Sequence, residues 1–221
     1  VNSPQFKRFS EMSPEEIEAH DAKIRADRDA DAAEARKKAA AGEVVRRQAT
    51  MVPQEFLAAI TGPVRDTEAL AEVMRGDFRA LVLAGAIGRG KTLAACWWLL
   101  DGKWPNKPEL EPTGPRDPLF VSSARLSRWE RYDNTAMDRL LLSSRLVIDD
   151  LGEEFNDTKG NFLAVLDETV SDRIANLRPT VITTNLDVEA FKARYGARIT
   201  DRIRGAGRWF AVAGESMRGQ P

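Results

Sequence analysis

One stretch limits what the rest of this chain can fold into: Leu81-Val-Leu-Ala-Gly85-Ala-Ile-Gly-Arg-Gly90-Lys91-Thr92. An apolar run of strand length leads into a glycine-rich turn, and the turn leads into a run from Leu93 to Leu100 with helical character. Gly85-x4-Gly90-Lys91-Thr92 between a strand and a helix is the full P-loop pattern. The glycines let successive backbone N–H groups turn inward around a phosphate, a path that is strained for residues carrying a Cβ. Lys91 brings a point charge to the β- and γ-phosphates, and the Thr92 hydroxyl is placed to ligate Mg²⁺. The expected phosphate-binding set is Gly85, Ala86, Ile87, Gly88, Arg89, Gly90, Lys91, Thr92 and Leu93. An ordinary glycine-rich turn is the alternative, and Gly-Lys-Thr at this spacing argues against it.

Charge excludes little: 33 basic against 34 acidic side chains leave a formal net charge of -1, so any nucleic-acid contact has to come from local clustering. The single cysteine, Cys96, excludes an internal disulfide framework and a cysteine-rich zinc site. No run approaches a membrane span and the N-terminus has no signal-like apolar segment, which leads us to expect a cytoplasmic protein.

Residues 1–50 differ from the rest, with balanced charges, many alanines and few aliphatics, and cannot build a core of their own. Ser13 as N-cap, Pro14 at the first helical position, Glu16 closing a capping box and Met12 facing Ile17 predict a helix start. Pairs such as Asp21/Arg25 and Glu34/Lys38 support one solvated helix up to Gly42. Such a segment is either a solvated leader or a helix that docks on a partner, and His20 within it reads as a surface residue. Composition changes at Met51-Val-Pro53, so the folded domain is expected over 51–221, with Asp66 or Thr67 capping its next helix and Gly76 ending it.

Arg145-Leu-Val-Ile-Asp149-Asp150 is an apolar strand ending in two acids, the Walker B pattern. Asp149 is expected to hold Mg²⁺ and Asp150 to orient or deprotonate the attacking water. Glutamate is the usual second acid, and Asp150 is one methylene shorter. Asn161 to Leu177 reads as an amphipathic helix, and Thr180-Val-Ile-Thr-Thr184 as the next strand. Asn185 stands at that strand's C-terminal end, where ligands of parallel sheets sit; it reads as a γ-phosphate or water sensor, or else as a helix N-cap.

Two basic segments remain. Arg125, Arg128 and Arg131, spaced by three beside Trp129 and Tyr132, suit a single-stranded nucleic acid or a solvated helix face. Between Lys192 and Arg218, arginines dominate, as an ATPase completing its site across a subunit interface requires; a solvated basic helix is the other account.

The P-loop, Asp149-Asp150-Leu-Gly152, Thr183-Thr184-Asn185, Tyr195-Gly-Ala-Arg198-Ile-Thr-Asp-Arg202-Ile and Gly214-Glu-Ser216-Met-Arg218 occur in one order. Together they resemble the AAA+ family of DnaC-type replicative helicase loaders and the related IstB transposition helpers. The resemblance implies an α/β P-loop NTPase of the ASCE/AAA+ type with a five-stranded parallel sheet in the order 5-1-4-3-2. It also implies ATP and Mg²⁺ as cofactors, ATP hydrolysis, self-association in a spiral or ring, single-stranded DNA in the pore, and a replicative helicase recruited through residues 1–50. In that pattern Arg202 matches an arginine finger and Arg218 a sensor-2 arginine, with Arg198 a nearby candidate. The chain's end after Arg218 leads us to expect no separate lid domain. A transposition helper and an ATP-gated adaptor with little hydrolysis stand as competing functions.

Overall fold

The computed structural model describes residues 13–61, 66–101, 118–128, 134–154, 161–214 and 216. The chain divides into two compact units, Val1–Arg46 and Arg47–Pro221. The first is dominated by α1 (Pro14–Ala49), whose described side chains are almost all exposed, as expected of a helix polar on every side. The predicted stop at Gly42 is corrected: the helix runs seven residues further. A glycine in a helix interior costs only about 1 kcal/mol against alanine, and it ends a helix only where the chain turns left-handed beyond it.

The second unit alternates strands and helices: α2 (Gln54–Thr61), α3 (Glu68–Arg75), β1 (Ala80–Ala84), α4 (Lys91–Asp101), β2 (Leu119–Ser122), α5 (Ser123–Leu126), α6 (Asn134–Leu142), β3 (Leu146–Leu151), α7 (Asn161–Ala175), β4 (Thr180–Thr184), α8 (Val188–Tyr195), α9 (Ala197–Ala206) and β5 (Arg208–Ala211). All strand pairs are parallel and the order is β2-β3-β4-β1-β5, the 5-1-4-3-2 arrangement expected. Alternate residues of each strand enter opposite cores. Leu81, Leu83, Val147 and Val181 pack with α2, α3 and α4, while Val82, Ile148 and Ile182 pack with α6, α7, α8 and α9. Burial on both faces explains why the strands read as continuous apolar runs.

The adjacent tryptophans of α4 point to different sides of the helix and differ in burial. Trp98 is buried against Phe78, with ring centroids 5.6 Å apart, and Trp97 is half-buried. Cys96 is buried between the sheet and its helices, and burial raises its thiol pKa, so it is a packing residue. Thr67 caps α3 through its hydroxyl, and Gly76 ends it at φ 66°. Among the described residues no helix is long and apolar enough to cross a membrane.

Arg173, on the buried face of α7, is fully enclosed, and among the described residues its hydrogen bonds run to hydroxyls and carbonyls. Its Nε donates to Thr180 Oγ1 at 2.8 Å, Nη1 to the carbonyls of Leu140 at 2.8 Å and Ser143 at 2.9 Å, and Nη2 to the Pro179 carbonyl at 2.8 Å. The negative end of α6 thereby receives a cation, which ties that helix to the start of β4. Burial and the Arg178 charge lower the Arg173 pKa to about 9, which still leaves it charged at neutral pH.

Candidate functional site

The site grows from register. Ala84 of β1 lies beside Thr184 of β4, and Thr184 beside Leu151 of β3, so the residues that follow these strands emerge on one edge of the sheet. Gly85 to Gly90 form the turn after β1, with positive φ at Gly85, Gly88 and Gly90. A side chain at Gly88, where φ is +84°, would be strained by the backbone, and its Cβ would press on the Ser216 hydroxyl of the segment that follows β5. Arg89 holds that segment from the other side, its Nη1 donating to the Val212 carbonyl at 2.6 Å. Ala86 and Ile87 at the tip are exposed, and Leu93 is half-buried in the first turn of α4.

Lys91 is 5% exposed, and its Nζ donates to the carbonyls of Gly85 at 2.7 Å and Ala86 at 2.9 Å and to Asn185 Oδ1 at 3.0 Å. Asn185 is therefore part of the lysine's surroundings. The N-cap reading is corrected, because Asp187 caps α8 by accepting from the Ala190 amide at 2.8 Å.

Asp149 is buried at the end of β3. Desolvation, reinforced by the Asp150 charge, pushes its pKa up to about 6, against the opposing hydrogen bonds of Thr183 and Thr92 and the Lys91 charge. The Thr92 hydroxyl and the Asp149 carboxylate thus meet, giving two hard oxygen donors beside the glycine-rich turn. That donor set fits Mg²⁺ held jointly by one carboxylate, a hydroxyl and substrate phosphates. Among the described residues no cluster of three or more His, Cys, Asp or Glu forms a metal cage of protein groups alone.

Asp150 sits where the β3–β4 register breaks between Ile148 and Leu151, at φ 54°, a left-handed conformation that aspartate tolerates better than most side chains. Its peptide is gripped on both sides: the amide donates to Thr183 Oγ1 at 2.9 Å and the carbonyl accepts from Ser123 Oγ at 2.6 Å. The turn beyond it is fastened by Glu154, which accepts the Gly152 amide at 2.9 Å, the Tyr195 hydroxyl at 2.8 Å and Arg194 Nε at 2.7 Å. Burial alone would raise the Glu154 pKa; these donors outweigh it and lower the pKa.

A cleft of about 300 Å³ opens beside the two acids, lined by Thr92, Asp149, Asp150, Ser122 and Arg125 together with Met51, Pro53, Glu55, Phe56 and Phe120. Arg125 therefore lines the same cleft as the acids, whereas Arg128 lies in the turn after α5. The helix expected to carry both arginines ends at Leu126, since Ser127 and Arg128 close it as a turn. Arg131 and Arg218 lie outside the described residues. Arg202 is not brought to this cluster; it contacts Asp167 and Ser171 of α7. The sequence reading assigned no individual role to Thr183, Glu154 or Tyr195, whose partners lie 34 to 41 positions away in the chain.

No protein-family model matches the sequence, and no curated protein matches it. Solved structures do. The crystal structure of the DnaC helicase loader superposes with a TM-score of 0.55 at 18% identity, covering 73% of this chain and 100% of that one. The crystal structure of DnaI gives 0.53 at 21% identity over 74% of this chain and 96% of that one. The replication initiator DnaA bound to AMPPCP and single-stranded DNA gives 0.50 at 14% identity over 67% and 45%. Parallel strand order, P-loop and these superpositions together make the fold of this chain the P-loop AAA+ fold of the DnaC-type loader and DnaA structures.

Proposed function

We propose that the chain is a replication ATPase of the helicase-loader type, which binds Mg²⁺ and ATP at Gly85–Leu93 and assembles on single-stranded DNA. The observation that carries this reading is the convergence of Lys91, Thr92, Asp149 and Asn185 on one sheet edge through hydrogen bonds. The P-loop amides cradle the phosphates, and Lys91 exchanges its loop carbonyls for phosphate oxygens. Thr92 and Asp149 hold the Mg²⁺, which when bound spreads the charge developing on the transferred phosphoryl group. Asp150 orients the attacking water, Asn185 senses the γ-phosphate, and Arg202 of one copy completes the site of the next. Arg218 contacts the nucleotide as sensor 2.

Arg125, Arg128 and Arg131 contact DNA phosphates, and residues 1–50 recruit a replicative helicase in the cytoplasm. The short reach of Asp150 supports a second reading, an ATP-gated adaptor that scarcely hydrolyses.

The test is nucleotide binding and turnover with and without single-stranded DNA, with capture of helicase or transposase by the full chain. ATP binding lost in Lys91→Ala and helicase capture agree with the proposal; capture of transposase alone overturns the loader assignment. A turnover unaltered by Asp150→Asn replaces the ATPase with the adaptor.

A further inference from the structure

Arg202 is held by one nitrogen. Its Nη1 donates to Asp167 Oδ1 at 2.8 Å and to the Ser171 hydroxyl, both on α7, and the side chain is 36% exposed. Among the described contacts nothing engages its Nε or Nη2. Arg198, four residues earlier on α9, places Nη2 3.3 Å from the other Asp167 oxygen. Ser171 in turn donates its hydroxyl to the Asp167 backbone carbonyl one turn before it, which holds this second acceptor against α7.

We propose that Asp167 and Ser171 form a socket that aims Arg202 away from its own protomer, with the Nε–Nη2 edge leading, at the phosphoryl group bound by a second copy of this chain. They are positioning residues, and the idea rests on the shared-site reading above. The free edge of the guanidinium offers two parallel N–H donors, the fork that matches two oxygens of one phosphate. An arginine already held in one rotamer has less freedom left to lose when it docks. A half-exposed ion pair adds little to the stability of a fold, so the consequence of this one is orientation. Arg198, more exposed and on the opposite oxygen, occupies the carboxylate's second lone-pair region and keeps Asp167 from turning away.

Mixed assemblies of the full chain separate this idea from its premise. Arg202→Ala copies keep their nucleotide site but lack the arginine; Lys91→Ala copies lack nucleotide but keep the arginine. Mixed together they should hydrolyse ATP faster than either does alone. Replacing the second partner by the double variant Lys91→Ala/Asp167→Ala should cut that restored rate by about ten- to a hundredfold. Asp167→Asn, which keeps an acceptor oxygen without the charge, should fall between. Asp167→Ala alone should keep the wild-type affinity for ATP and the wild-type unfolding midpoint, which a merely structural role would lower. Equal restoration with and without Asp167 overturns the socket while leaving the shared site intact; no restoration in the first mixture overturns both.

Discussion

Thr183 donates its hydroxyl to Asp149 Oδ1 at 2.6 Å, and Thr183 Oγ1 in turn accepts the Asp150 amide at 2.9 Å. One side chain on β4 therefore fixes the carboxylate of the first acid and the backbone of the second. It does so across the register break that lets Asp150 leave the strand. Thr183→Val keeps the shape but leaves a buried amide unpaired, which should cost about 1–3 kcal/mol in denaturant unfolding. Turnover should fall about tenfold or more, because Asp150 loses its hold. Unchanged turnover would show that Asp150 does not need this clamp.

Asp149 makes the stability of the metal-free protein depend on pH in a stated direction. Its folded pKa, about 6, stands above the ordinary value of 3.8, so between those two the native state keeps a proton that the unfolded chain releases. This group's contribution is therefore most favourable at acid pH and is lost as pH rises through 6. Above that, the buried charge costs about 3 kcal/mol. Asp149→Asn in metal-free buffer should raise the unfolding midpoint at pH 8, with the gain shrinking as pH falls from 6 to 4. Adding Mg²⁺ to the ATP complex should then stabilise the wild type more than the variant. A gain independent of pH would contradict the assignment.

The two halves of the proposed nucleotide site are legible because each is a local pattern. The P-loop announces itself within twelve residues and the Walker B strand within six, and the apolar runs around them carry the parallel sheet. Thr183 was illegible in its clamping role, since nothing local to β4 distinguishes its hydroxyl from that of Thr184, which instead donates to the Leu151 carbonyl at 2.6 Å. The same holds for the strap over the P-loop, where Arg89 meets Val212 across 123 positions. One signal was available and unread: Arg173 lies three and four positions after Val170 and Thr169, on the apolar stripe of α7, where a cation needs a reason to be buried.

Asn185 shares Lys91 with two loop carbonyls, so its charge state should govern how easily the lysine is released. Asn185→Asp places an anion 3.0 Å from the ammonium, holding Lys91 in its resting contacts and repelling the incoming phosphate. Nucleotide affinity should weaken about tenfold by titration calorimetry, the effect of a charge-assisted hydrogen bond. Asn185→Ala should bind within about threefold of wild type and lose turnover instead, about tenfold or more, as expected for a group that acts after binding. Equal affinity in both variants would detach Asn185 from the lysine.

Gly207 joins α9 to β5, and a Cβ there would stand 1.9 Å from the Ala80 carbonyl oxygen and 2.7 Å from its carbon. Neither atom can yield, because both belong to the backbone of β1, which is held between β4 and β5. Gly207→Ala should therefore force β5 away from β1 at a cost of about 3 kcal/mol or more in unfolding free energy, toward the upper end for a single substitution. Since β5 carries the segment that covers Gly88, hydrogen exchange should rise together in β5 and the P-loop. Exchange confined to β5 would mean that the strap holds the loop without the strand.

Arg173 gives the sharpest separation of stability from activity. Its donors satisfy carbonyls at the end of α6 and the start of β4, and none of them reaches Lys91, Asp149 or Asn185. Arg173→Met fills much of the volume with an apolar chain but leaves the Leu140, Ser143 and Pro179 carbonyls short of a donor, and each unpaired buried group costs about 1–3 kcal/mol. Arg173→Lys keeps the charge but lacks the planar fork that spans these acceptors. Both variants should unfold at markedly lower denaturant concentration. The folded fraction, assayed in the cold, should nonetheless bind ATP with wild-type affinity. A shift in affinity at full folding would mean that the α6–β4 junction communicates with the opposite edge of the sheet.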